Sequence, residues 1–156
     1  SDPRKTLAEF APTRFAFNES LSQSGWAAPA NHFKALGLAL APNLQSGGHR
    51  LSAQAVLENR ADFAALDLMT WTMIQRWDAW AADLRVITRT APSTPTLPFI
   101  TAKGNDAELF FKTIAQAIAE LSPDDKATLH LQGLVYIPVI DYISVPTPHT
   151  AQIDQK

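Results

Sequence analysis

An α/β fold is predicted for this chain of 156 residues. Three observations carry the prediction. Short apolar runs with strand character recur, segments of helical period separate them, and the connections between the two are tight. Strand, helix, strand, helix, strand in that succession implies a sheet with right-handed crossovers. The length suits one domain with a single core, or one lobe of a two-lobed protein plus an appendage.

The elements follow in order. Residues 6–10 make one helical turn that ends before Pro12, and residues 13–17 are aromatic, alternating and strand-like. Ser22 or Ser24 caps a helix reaching about Leu36, with Gly37 as its stop and Pro29 restricting its first turn. Residues 38–48 are broken by Pro and Gly and hold one short strand near Leu44-Gln45. Residues 49–59 read as a helix with Leu51, Val56 and Leu57 inward and Arg50, Gln54 and Glu58 outward. Residues 62–67 form a strand of small apolar residues closing on Asp67, residues 69–77 a helix, and residues 84–88 a strand.

Composition then changes. Pro92, Pro95 and Pro98 fall within seven residues, which excludes a helix and favours an extended crossing. Residues 99–101 read as a strand, and residues 106–121 as an amphipathic helix with Leu109, Phe110, Ile114, Ile118 and Leu121 on one face. Ser122-Pro123-Asp124-Asp125 opens another helix, Asp141-Tyr142 belongs to a last short one, and residues 146–156 form a disordered tail.

Bulk properties exclude several classes. Hydrophobic residues at 46% and charged residues at 18% are ordinary for a globular protein, and a net charge of −2 gives no case for nucleic acid or an acidic membrane surface. No apolar run is long enough to span a bilayer, and the lack of cysteine excludes disulfides and thiolate metal sites. His32, His49, His130 and His149 have no metal-ligand spacing, and no metal or cofactor is expected. Ser1-Asp2-Pro3-Arg4-Lys5 reads neither as a signal peptide nor as a natural start, so a segment of a longer protein is expected.

The chemistry concentrates at Ser22-Gln23-Ser24-Gly25. A strand followed by a hydroxyl- and amide-rich turn opening a helix presents free N–H groups at the positive end of the dipole, which suits an oxyanion. Gly25 would let a ligand approach the backbone, and Trp26 is the aromatic placed beside such a pocket. The same turn also reads as a plain helix cap. His49 follows Gly47-Gly48 at a helix start and could donate to an oxyanion or accept from a protonated ligand oxygen, or serve as a surface histidine. Asp67 lies where a strand's carboxyl end meets a helix, the edge where open α/β sheets bind ligands, and is equally placed to cap that helix. A serine hydrolase using Ser22 or Ser24 with His49 and Asp67 is a third reading, but the G-x-S-x-G elbow is absent around both serines. Trp71, Trp77 and Trp80 form a stripe of core or contact character.

These segments together resemble the phosphate/phosphite/phosphonate substrate-binding proteins of ABC transporters, which have the type 2 periplasmic-binding fold. The matching residues are Phe15-Ala16-Phe17-Asn18-Glu19 leading into Ser22-Gln23-Ser24-Gly25-Trp26, where the family typically reads Ser-Thr-Ser-Gly-aromatic. Gly48-His49 before a helix with Ala55-Val56-Leu57 fits next, then Arg60-Ala61-Asp62-Phe63-Ala64-Ala65-Leu66-Asp67, the Leu84-Arg85-Val86-Ile87 run, the Pro-rich crossing and Asp141-Tyr142. The likeness runs from about residue 6 to 145.

The resemblance implies a clamshell of two α/β lobes, each a three-layer sandwich, closing on an oxyanion-bearing solute at a hinge. Residues 6–95 would be the second, ligand-binding lobe. Residues 96–145 would hold the returning hinge strand and C-terminal helices packing on a first lobe that is mostly missing, and self-association is a possible consequence. Ser22, Gln23 and Ser24 would donate to ligand oxygens, with His49 and Asp67 completing one wall. Gln23 departs from the family's small hydroxyl residue. The implied protein is a non-catalytic, periplasmic or otherwise extracytoplasmic component of uptake with an ABC permease as partner, or a sensory module of the same fold.

Overall fold

The computed structural model describes residues 2–145. They form two compact units, one running to Ser93 and the other spanning Thr94–Val145.

The first unit is built on a parallel sheet of three strands, β1 (Phe15–Phe17), β2 (Pro42–Gln45) and β3 (Phe63–Ala64), in the order β2-β1-β3. All three residues of β1 are buried, and the pleat sends them to opposite faces. Phe15 and Phe17 join Phe10, Trp26, Phe33 and Phe63 in an aromatic core, with ring centroids 4.9 Å apart for Phe15–Phe63 and 5.3 Å for Phe17–Trp26. Ala16 packs on the other face with Ala55 and Ala61. Helix α1 (Leu7–Phe10) contributes Phe10. Helix α2 (Ala28–Ala35) brings Phe33 to the aromatic face, and helix α3 (His49–Leu57) brings Ala55 to the alanine face. The two crossovers therefore cover opposite faces of the sheet, as an α/β fold requires.

Local chemistry fixes the register. Asn43 is the extra residue of a bulge between the pairs Phe15–Pro42 and Ala16–Leu44, and its Oδ1 accepts the Phe15 N–H at 2.9 Å. At the amino end of β3, Asp62 accepts from Arg14 N at 3.0 Å, Arg14 Nε at 2.9 Å and Arg4 Nη2 at 3.0 Å. Hydrogen bonds from Arg14 first, and then from Arg4, hold its carboxyl below the usual carboxylate range against the opposing effect of burial. Helix α4 (Leu68–Trp77) and a 3₁₀ turn at Ala79–Asp83 follow, and Ile74 and Ala81 pack on Ala53 of α3, with Trp71 and Trp80 against them. Trp77 instead is 68% exposed.

The second unit is helical. Asp106 caps α5 (Ala107–Glu120) by accepting the Leu109 N–H at 3.0 Å, and Ser122 caps α6 (Pro123–Leu129) by accepting that of Asp125 at 3.1 Å. Helix α7 is Val139–Ile143. No helix among the described residues is long and apolar enough to cross a membrane.

Two expectations change. Residues 84–88 and 99–101 are not strands, because a strand exists only beside a partner and neither segment has one among the described residues. Leu51 does not face inward: it is 47% exposed, and α3 buries Ser52, Ala53 and Ala55 instead, small residues that let the helix lie close on the sheet. On α5, Ile118 is buried, whereas Leu109 and Phe110 are 60% and 48% exposed. Of the two serines expected to cap the helix after β1, Ser22 does so. The expected tail at 146–156 lies outside the described residues.

Candidate functional site

The strand order places all the candidate residues at one edge of the sheet. The chain leaves β1 into the turn holding Ser22 to Trp26, leaves β2 into the loop ending at His49, and leaves β3 into Asp67. All three exits are carboxyl ends of parallel strands. With β1 central, successive crossovers go to either side of it, so the switch point lies between β1 and β3, where open α/β sheets bind ligands.

After β1 the backbone makes a π-helical turn, Gln23–Ala27, continuous with α2. The Ser22 carbonyl accepts from Trp26 N at 3.2 Å and Ala27 N at 3.0 Å, and Ser22 Oγ accepts the Gly25 N–H at 3.0 Å. No described hydrogen bond uses the N–H groups of Gln23 and Ser24, the first donors of the helix. A widened turn of this type at a helix start leaves donors pointing along the axis.

Gly25 has a packing reason. An added Cβ would meet Asn18 Oδ1 at 1.9 Å, so the space beside this residue is filled by the protein's own Asn18. Trp26, 8% exposed, turns into the aromatic core and anchors the turn from below.

Ser24 and His49 meet: Ser24 Oγ lies 3.0 Å from His49 Nε2. The other ring nitrogen, Nδ1, is buried and has no hydrogen-bond partner among the described residues, and the same is true of Asn18 Oδ1. Asp67 takes the capping role, its Oδ1 accepting the Thr70 N–H at 2.6 Å, and no described hydrogen bond joins it to His49. The Ser-His-Asp arrangement is therefore not assembled, since a catalytic histidine needs an acid on its far nitrogen.

Two residues that sequence reasoning passed over support this corner. Ser46 N and Gly47 N donate to the carbonyls of Phe17 and Asn18 at 2.8 Å and 2.9 Å, lacing the loop before α3 to the end of β1. Ser46 Oγ then lies 2.9 Å from Gly48 O, 3.1 Å from Phe17 O and 2.6 Å from Ser52 Oγ. Ser52 is fully buried. The available signal was its position three residues after His49, on the small-residue face with Ala53 and Ala55.

Among the described residues no cluster of three or more His, Asp and Glu side chains could hold a metal ion. A surface hollow lined by Lys126, Ala127, His130, Leu131 and Gln132 belongs to the second unit and contains none of the candidate residues.

The family model described as "ABC transporter, phosphonate, periplasmic substrate-binding protein" matches residues 1–141. No curated protein and no solved structure matches the chain.

Proposed function

The chain belongs to the phosphonate ABC-transporter periplasmic substrate-binding proteins, and from that premise we propose that it captures an oxyanion-bearing solute at the carboxyl edge of its sheet. Membership implies an extracytoplasmic location and an ABC permease as partner. The observation that supports the site is the meeting of two helix starts, Gln23–Ala27 and α3, joined by Ser24 Oγ and His49 Nε2 at 3.0 Å. Two helix starts there contribute partial positive charge, and the N–H groups of Gln23 and Ser24 with the hydroxyls of Ser22 and Ser24 give directed donors. Asp67 stands on the same edge, where a carboxylate is useful toward a proton or amine on the solute. Gly25 and Trp26 hold the turn in shape.

In this reading residues 6–95 serve as the ligand-binding lobe of a type 2 periplasmic-binding clamshell. Residues 96–145 serve as the hinge return and the helices that pack on a first lobe, which would supply the facing contacts. Closure around the hinge would present the loaded form to the permease. The His49 Nδ1 without a partner among the described residues favours binding over hydrolysis, because no acid among them orients the ring as a base.

Calorimetry with inorganic phosphate, methylphosphonate and sulfate tests the reading. Saturable binding of at least one is expected, weakened by Ser24→Ala by about tenfold or more, the worth of one charge-assisted hydrogen bond. Absence of saturable binding, or indifference to Ser24→Ala, overturns it.

A further inference from the structure

We infer that His49 acts through Ser24 rather than on the solute, by fixing the direction in which the Ser24 hydroxyl gives its proton; this rests on the oxyanion reading above. Three observations point there. Nε2 is engaged with Ser24 Oγ at 3.0 Å. Nδ1 is buried and unpartnered among the described residues, so neither ring nitrogen is left for a ligand. His49 opens α3, and the N–H groups of Ser46 and Gly47, donating to the carbonyls of Phe17 and Asn18, tie that end to β1 and fix the backbone that carries the ring.

Proton placement follows. A neutral imidazole carries one N–H. With the proton on Nδ1, a buried N–H would have no acceptor, which folded proteins rarely tolerate. Nε2 would then accept the Ser24 proton, and the turn would lose its hydroxyl donor. With the proton on Nε2, the ring donates to Ser24 Oγ and the serine proton is free to point at an oxyanion. Donating to an oxygen that itself donates also strengthens the outer bond by polarisation. His49 is thus a positioning residue, and Ser24 makes the contact.

The test has two independent arms. Nitrogen-15 NMR of histidine-labelled protein, with the His49 signals assigned by His49→Gln, is expected to show Nε2 protonated and Nδ1 bare; a proton on Nδ1 overturns the inference. Methylphosphonate calorimetry on Ser24→Ala, His49→Leu and the double variant is expected to give about tenfold loss for each single change and no further loss for the double. His49→Gln, which keeps a side-chain N–H near the Nε2 position, is expected to recover most of the affinity. Losses that multiply in the double variant would mean that His49 touches the solute, and would overturn the inference. If phosphate, methylphosphonate and sulfate all fail to bind the wild type, the oxyanion reading falls, while the NMR arm still decides the direction of the hydrogen bond.

Discussion

At Gly25 an added Cβ would sit 1.9 Å from Asn18 Oδ1, 2.8 Å from Asn18 Cγ and 3.1 Å from Ser22 Oγ. Glycine is required here by a neighbour's side chain, since the backbone φ is not in the left-handed region. Gly25→Ala is expected to cost about 1–3 kcal/mol of stability by overpacking, read from urea denaturation midpoints. Asn18→Ala in the same chain removes the opposing atoms and should return part of that loss; equal midpoints for the single and double variants would argue against the packing account. Ser52 gives a second expectation at this scale. Its hydroxyl is buried and has Ser46 Oγ at 2.6 Å, so Ser52→Ala should destabilise by about 1 kcal/mol, the net worth of a neutral hydrogen bond. The Ser22–Trp26 turn, His49 and Asp67 were legible because caps, glycines and strand ends mark them locally. Asn18 and Ser46 were not, because what they do depends on a neighbour distant along the chain or across a turn.

Among the elements, the helices were legible and the outer strands were not. Asp67, Asp106 and Ser122 announce α4, α5 and α6 by accepting a backbone N–H three residues on, a signal contained in the local sequence. Residues 84–88 and 99–101 have strand composition, but pairing is a property of two segments, and no partner lies beside them among the described residues. The face of α3 was misjudged because hydrophobicity ranks Leu51 above Ser52 and Ala53, whereas close approach to the Ala16 face favours small residues. The β1–β3 pair yields a pH dependence. Asp62 is held below its ordinary pKa chiefly by its hydrogen bond from Arg14. A depressed folded-state pKa stabilises above the unfolded carboxylate value and is lost as pH falls through the folded one. Arg14 is 52% exposed, so screening limits the effect, and Asp62→Asn should cost about 1 kcal/mol at neutral pH. The gap between variant and wild type should close in acid below the usual carboxylate range. A gap that stays constant through that range and below it would show that charge plays no part.

Across the whole molecule, burial is divided unequally. The unit running to Ser93 holds the aromatic core, the alanine face and all the candidate site residues. In Thr94–Val145, Ile118 is the one buried residue among those described, while Leu97, Ile100, Val135 and Tyr136 are 89%, 89%, 71% and 76% exposed. A helix of 14 residues such as α5 is marginal in water without packing. Local stability tracks buried apolar contact, so hydrogen exchange in the 156-residue chain should find strong protection in β1 and α3 and little in Thr94–Val145. A bound solute stabilises by linkage only what must be folded to hold it, about 2.7 kcal/mol at a concentration a hundred times Kd. Added methylphosphonate should therefore slow exchange in the Ser22–Trp26 turn and in α3, and leave α5 and α6 unchanged. Protection of α5 and α6 matching that of β1 before any ligand is added would mean that their exposed apolar side chains are covered in solution. A ligand effect spread equally over both units would mean that the solute is held by more than the carboxyl edge of the sheet.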